Sequence, residues 1–504
     1  MRGIVWLPVV AFLLGAGDPW TDASVQDLNG YARALSLDLR GNVPTAAELT
    51  DIEATGEVSE ELLDAWLESP EFEEQVIAKH RDFFWNQLAV NLLQRRKMFR
   101  RDGIYFSNQR ARYTRGQPQT HCGDFEADVN ELNQPITWVD NGDGSISEGY
   151  VEVYPYWDPE TPVEVCALDA QLTLVSENGI DCSTEAAHQE PDCGCGPNLQ
   201  WCLIENIEKQ MEQAFSNDLN ERVRGMLQAD APYTQIFSGN TMYMNGPMVF
   251  FFRNIAPFDT ENYELPVPIE MLPDLDPSDT EFVPVTIADH HDGVLTAPGW
   301  LLRHQTNRGR ANRFYSAFLC EQFIPSESGV GGVSDSEVPT PNLTMREGCL
   351  GCHARLEPWA AYWGRWSEAS TVYRSGDMYP SHSSECTTCA TGSGSCSDFC
   401  EDHYVVEATH DDLEPYLGWY KPYAFLTGDK RDHPDLGPLG WVGLSDEDGR
   451  LGTCATRNAA RWLLDWDEDA EVYEAWATEF NASMSYRELV KQIVTSSQYW
   501  GGRP

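Results

Sequence analysis

Positive charge and long apolar runs are what this sequence of 504 residues has least of. Lysine and arginine number 34 against 80 aspartates and glutamates, for a net charge of −46. So negative a chain repels phosphate backbones and anionic headgroups, which argues against nucleic acid or an acidic membrane as a partner. The acidic residues are scattered rather than gathered in blocks, the pattern of a protein kept in solution by its charge and able to meet a basic partner. No stretch approaches the ~20 apolar residues that cross a bilayer. Familiar catalytic signatures are also missing: there is no G-x-S-x-G elbow, H-E-x-x-H, phosphate loop or dinucleotide fingerprint. Carboxylates are too numerous for any one pair to stand out.

The first residues read as an export signal over 1–17. Arg2 is a positive start, Ile4 to Leu14 an apolar core too short to span, and Gly15-Ala16-Gly17 a small-residue cleavage site. The first cysteine is Cys122, so none stands at the cleavage site to carry a lipid. An exported protein, periplasmic or extracellular, with no integral membrane segment is the expectation. Fourteen cysteines suit that oxidising destination. Six lie between Cys122 and Cys202, four between Cys386 and Cys400, and Cys320 and Cys454 stand alone. Pairing within each cluster, with Cys320 bridging to Cys454, is the simplest scheme, although spacing does not fix connectivity. With 41% hydrophobic residues, 17 Trp, 20 Tyr and 20 Phe, the chain can bury a large core.

The pattern along the chain is mainly helical. Leu35 to Thr45 reads as a short apolar run ending at a helix start, where Thr45 and Glu48 have capping-box spacing. A second helix near Ser59 to Leu67 stops at Ser69-Pro70, which opens a third. Phe72, Val76, His80, Phe83, Phe84 and Leu88 give that third helix one apolar face, running to a basic end at Arg95 to Lys97. Residues 114–202 break the pattern with six cysteines, many Pro, Gly and Asn, and alternating Val and Tyr around Tyr150 to Tyr156. Helical patterning returns at Leu203 to Leu227, at Pro298 to Phe323 and from Ala455 onward. In the last helix Ser485 and Glu488 form a capping box, and Tyr486, Leu489, Val490, Ile493 and Val494 line one face. Segments follow: 18–113 helical, 114–202 a cysteine-rich insertion, 203–324 helical, 325–380 around the motif described next, 381–404 a second cysteine-rich insertion, and 405–504 helical. The fold class expected is a mainly α helical assembly with two disulfide-stapled insertions, the first with some β structure.

The sharpest local feature is CLGCH, Cys349 to His353. Two thiols three residues apart can form thioethers to the two vinyl groups of one haem, and the histidine that follows can bind its iron as proximal ligand. A shuffled sequence of this composition would hold about 0.01 such matches. The competing reading is a local disulfide beside an incidental histidine. Beyond the motif, Trp359, Tyr362, Trp363 and Trp366 fall at helical spacing, so Trp359 and Trp363 are candidate walls of a haem pocket, or ordinary core. Met378 and His382 are the candidates for the iron's distal side, with His80, His290, His291 and His304 more remote; His80 reads better as a core histidine. Arg346, Arg355 and Arg365 are available to haem propionates. The cluster His382, Cys386, Cys389, Cys396, Cys400, His403 would be a zinc site in a reducing compartment and two disulfides in an oxidising one. The acidic turn Asp140 to Ser145 has Val139 and Tyr150 where a calcium loop needs carboxylates, and so reads as a surface turn.

Several segments, in order, resemble the planctomycete-type cytochrome c-like exported proteins. They are LSLDLRGNVPTAAEL and SPEFEEQVIAKHRDFFW near the N-terminus, YTQIFSGNTMYMNGPM at Tyr233 to Met248, and DGVLTAPGWLLRHQTNRGRANRFYSAFLCEQF at Asp292 to Phe323. CLGCHARLEP and then ELVKQIVTSSQYW follow, and together the pieces cover about half of the chain. The resemblance implies a mainly helical exported protein with a single covalent haem c, and no known reaction. Where that family carries a Met-Asp-Pro-like segment and a Gly-Phe stretch after the motif, this chain has Leu356-Glu357-Pro358 and a tryptophan cluster. The expectation is thus an exported monohaem c-type protein that carries electrons or serves as the redox module of a larger assembly, its redox partner unknown, a basic one being compatible with the charge. Cys349 and Cys352 would be the thioether cysteines and His353 the iron ligand. The alternative is a haem-free, disulfide-rich binding or scaffold protein with all fourteen cysteines paired.

Overall fold

The computed structural model describes residues 25–88, 96–107, 120–142, 144–184, 186–187, 190–254, 256, 264–287, 290–291, 293–323, 340–368, 370–392, 394–426, 434–464 and 470–501. The export signal expected at 1–17 lies outside them. The described chain falls into two compact units, one of residues 25–79, 230–232 and 452–501, the other of residues 80–229 and 233–451.

Among the described residues the first unit is built of helices, drawn from the early and late parts of the sequence. Leu28, Tyr31, Ala32, Leu35 and Leu39 recur every three or four residues and are all buried. They therefore form one face of a helix, Val25–Arg40, and not the short separate run expected from Leu35. The next helix, Ala46–Thr55, carries the expected capping box: Thr45 Oγ1 accepts from the Glu48 N–H, and Glu48 accepts from the Thr45 N–H. Helix Glu60–Leu67 follows, and Pro70 opens the helix Pro70–Phe84, whose residues up to Lys79 belong here. From the far end of the chain come most of Arg450–Leu464, then Ala470–Ser483, Tyr486–Val494 and Ser497–Gly501. All five apolar residues expected on one face of Tyr486–Val494 are buried. Polar ties accompany that burial. Tyr499 Oη donates to Asp38 at 2.7 Å, and Lys491 Nζ lies 2.8 Å from Glu60 and 2.6 Å from Asp64.

In the second unit the long helix Glu205–Gln228 is central. Met211, Ala214 and Phe215 on it share a core with Met242 and Met244, and with Met248, Val249 and Phe251 of the helix Gly246–Asn254. Nine strands are described: β1 Arg96–Arg101, β2 Ile104–Ser107, β3 Val139–Asp140, β4 Ile146–Ser147, β5 Tyr150–Val153, β6 Val163–Cys166, β7 Cys202–Ile204, β8 Thr241–Met244 and β9 Val283–Thr286. The main sheet runs β5-β6-β2-β1-β7, with Phe99 opposite Phe106 and Arg96 opposite Cys202. It belongs to the first cysteine-rich segment but recruits Arg96–Ser107, upstream of the boundary expected at residue 114. The helix expected to continue to Lys97 ends at Phe84, where Trp85 takes a left-handed φ of 49°, and Arg96 and Lys97 are in β1.

The cysteines account for the stapling. Cys122–Cys166, Cys182–Cys193 and Cys195–Cys202 hold the first insertion, and Cys386–Cys400 and Cys389–Cys396 hold the second. Cys320 and Cys454 are also in disulfides. The second insertion is a pair of short helices, Ser384–Thr391 and Asp398–His403, and its four sulfurs are spent on each other rather than on zinc. The acidic turn joins β3 to β4, with Asp140 Oδ1 accepting from the Gly142 N–H. Among the described residues no helix is long and apolar enough to cross a membrane.

The patterning over Pro298 to Phe323 becomes two helices, Pro298–Arg303 and Asn307–Phe318, interrupted at His304, whose φ of −107° and ψ of 76° leave the helical region. Arg310, on the second of them, has no exposed surface. Its guanidinium donates to the carbonyls of His304, Ser367 and Trp366 at 3.0, 2.8 and 3.2 Å and to Asn307 Oδ1 at 2.8 Å. Burial pulls its pKa down to about 9, partly offset by Glu368. Arg310→Ala leaves these carbonyls without donors, at ~1–3 kcal/mol each, and opens a cavity. A loss of at least about 3 kcal/mol is expected, read as a fall in the urea midpoint followed by tryptophan fluorescence.

Acid sensitivity is expected of the first unit. Burial would raise the Glu48 pKa, but donors from Arg40, the Thr45 backbone and the Trp66 indole overcome it and hold it at about 2, against an ordinary 4.5. With the folded value depressed, the contribution is full above the ordinary value and is lost as pH falls through the interval down to about 2. Glu48→Gln should therefore be less stable than the wild type near neutrality and should lose less stability between pH ~5 and pH ~3. Unfolding midpoints of both proteins across that interval check this.

Candidate functional site

The approach to the motif is a stack of turns. Asn342 Oδ1 accepts from the Thr344 N–H and hydroxyl, and its carbonyl accepts from the Met345 and Arg346 N–H groups. Gly348 then takes a φ of 79°, a conformation costly to a residue with a Cβ, and delivers the chain to Cys349. Cys349 is the N-cap of the helix Leu350–Ala360, and its sulfur makes no capping bond. Cys352 and His353 donate their backbone N–H groups to the Cys349 carbonyl, so both thiols and the histidine occupy a single helical turn. Cys349 and Cys352 are the two cysteines outside any disulfide, and both are half-buried. Beside them Gly351 has no heavy atom within 4 Å of where a Cβ would stand, and Leu350 is 49% exposed, so the ground next to the thiols is open and partly apolar.

His353 is oriented from behind. Its Nδ1 lies 2.5 Å from Glu357 Oε1, one turn further along the helix. The same oxygen accepts from Arg308 Nε at 2.7 Å, across from the helix Asn307–Phe318. Arginine can only donate, so Oε1 is an acceptor, and the neutral tautomer of His353 that fits this network carries its proton on Nδ1. The lone pair is then on Nε2, the form that binds a metal. On the next turn Arg355 pairs with Glu321 and lies over the Tyr315 ring, clamping the motif helix to the same neighbour.

Aromatic packing fixes the other side of the helix. Trp359 stacks on Trp441 at 4.8 Å and on Tyr362 at 5.6 Å. Trp363 is wholly buried, edge-on to Trp441, and donates its indole N–H to the Leu295 carbonyl at 2.9 Å. The α-helix ends at Ala360 and tightens into a 3-10 turn, Ala361–Trp363, so the four rings do not continue along one helical face. Trp366 instead meets Tyr373 and His291. A cleft of ≈ 440 Å³ borders the helix, its lining including Ala354, Glu357, Ala361, Arg308, Arg374 and Leu343.

The structure thus brings Cys349, Cys352 and His353 together and places Trp359 and Trp363 in the packing that anchors their helix. Met378 is 38% exposed and His382 lies against Trp419 and within 3.1 Å of Thr387 Oγ1; neither lines the cleft, and nor do Cys349, Cys352 and His353. His80 is buried with Nε2 3.2 Å from Tyr233 Oη, the bonded core histidine expected. His304 Nε2 is bonded to the Phe84 carbonyl, and burial pushes its pKa down to about 3. Arg365 is spent on the Tyr379 carbonyl, Ser381 and Asp435. No family model, curated protein or solved structure matches this chain. Its chemistry therefore has to be argued from the site itself.

Glu357 and Arg308 are the residues that sequence reasoning passed over. Glu357 was visible in principle, four places after His353 on a helical stretch, where side chains meet. Arg308 is 49 positions away and nothing local pointed to it. Denatured without reductant, haem-free protein is expected to take up two alkyl groups, both in the peptide holding Cys349 and Cys352, and fourteen after reduction. Peptide mass mapping after iodoacetamide reads this directly, and no label before reduction would contradict the cysteine assignment.

Proposed function

We propose that this chain is an exported monohaem c-type protein that carries electrons, alone or as the redox module of a larger assembly. Cys349 and Cys352 hold the porphyrin through thioethers and His353 is the proximal iron ligand; the group supplies one-electron chemistry between ferric and ferrous iron. The observation that carries this reading is the division of the cysteines. Twelve are in disulfides, and the two left as thiols are those of the Cys-x-x-Cys-His motif. A haem-free scaffold in an oxidising compartment would gain by closing that pair as well.

Three further features suit the residues to the group. The tautomer of His353 leaves Nε2 ready to bind. Open ground at Gly351 leaves room for a macrocycle beside the sulfurs. The third is how the ligand atoms are spaced. Among the described residues, the only three potential ligands whose donor atoms lie within 4.8 Å of one another are Cys122, Glu148 and Cys166, and those cysteines are bonded to each other. The two motif sulfurs and the His353 nitrogens are not drawn to one point as a bare metal ion requires. Attachment to separate vinyl groups with the histidine on the iron needs no such convergence. The net charge of −46 favours an electron partner with a basic face.

The test is expression with export in a host that has haem-attachment machinery. A denaturing gel stained for haem peroxidase activity and a pyridine haemochrome spectrum should show covalent haem on the wild type and none on Cys349→Ala/Cys352→Ala. Folded, exported wild type without covalent haem would overturn the proposal.

A further inference from the structure

The His353–Glu357 contact points to more than orientation. A metal-bound histidine that donates its second N–H to a carboxylate becomes a stronger electron donor, and outer partners of this kind are a main means by which a protein tunes its metal. We propose that Glu357 is a proximal positioning residue that lowers the reduction potential of the haem, with Arg308 opposing it; the proposal rests on the haem reading above.

The geometry supports each part. Glu357 Oε1 is 2.5 Å from His353 Nδ1, an (i, i+4) contact inside a single helix, so the separation is held by backbone hydrogen bonds. The side chains of His353 and Glu357 are 22% and 24% exposed, which limits screening by solvent. A negative charge behind the ring favours the ferric state, whose net charge is one unit more positive than the ferrous state. Arg308, 2.7 Å from the same oxygen, withdraws part of that effect, but its side chain is 53% exposed and its charge is better screened. The carboxylate therefore outweighs the guanidinium, and the two act with opposite sign. A purely structural clamp would be indifferent to that sign.

Opposite sign is what the experiment reads. Wild type, Glu357→Gln and Arg308→Gln are prepared with haem attached, checked by haem stain and far-ultraviolet circular dichroism, and titrated optically against a mediated electrode. Gln at 357 keeps an oxygen able to accept from Nδ1 and removes only the charge. It should shift the ferric–ferrous equilibrium about tenfold toward ferrous, a rise of ~59 mV for one electron. Arg308→Gln, at an exposed position, should shift it the other way by less. Both variants within twofold of wild type, or both shifted in the same direction, would overturn the proposal while leaving the haem reading intact. Loss of haem from Glu357→Gln alone would also overturn it, since Glu357 would then serve attachment. A wild type without haem defeats the functional reading and this inference together.

Discussion

The guanidinium of Arg310, withdrawn completely from water, is what fixes the surroundings of the motif helix. It satisfies carbonyls on two stretches of chain, one at His304 where the helical run breaks and one at Trp366 and Ser367 just beyond the motif helix. Neither stretch is regular enough to satisfy those carbonyls in a ladder, and buried polar groups left unpaired are expensive. The cation is thus the joint between Asn307–Phe318 and the segment that follows the motif. Arg308, two positions away on the same helix, is delivered to Glu357 by that arrangement.

The motif helix is held by three unlike contacts. Stacking of Trp359 on Trp441 and burial of Trp363 supply the apolar part, the Arg355–Glu321 pair a charged clamp, and Arg308–Glu357 a polar one. These lie at 355, 357, 359 and 363, beyond the first turn. The turn carrying Cys349 and Cys352 is tied chiefly by its own backbone and by the Asn342 turn before it. A base anchored in this way, with open ground at Gly351, suits the covalent haem proposed for the motif. Five disulfides staple the two insertions, and the second also packs beside the end of the motif helix, where Ala361 shares a core with Cys386, Cys400 and Tyr404.

Much of the local structure was legible. The capping box at Thr45, the opening at Pro70 and the apolar face of Tyr486–Val494 are each set by interactions within one or two turns, and each is seen as expected. Errors occurred where tertiary contacts override local preference. The apolar residues of Leu35–Arg40 belong to a helix begun at Val25, because burial against the rest of their unit extends the pattern upstream. Arg96 and Lys97 read as the basic end of a helix, yet they are in a strand, since pairing with Cys202 and Leu203 of β7 decides that and this partner is distant in sequence. Of the aromatic run, Trp359, Tyr362 and Trp363 all meet Trp441, but past the tightening after Ala360 Trp366 turns to Tyr373 and His291.

By itself the sequence determined the mainly helical class, the acidic surface, the two stapled segments and the Cys349, Cys352 and His353 constellation, all properties of composition or of residues a few positions apart. Only the tertiary structure decided which cysteines pair, that the ends of the chain share one unit, and that Glu357 Oε1 is shared between His353 and Arg308. Those depend on segments tens to hundreds of residues apart meeting in space, and the packing that brings them together leaves no periodic trace in the chain.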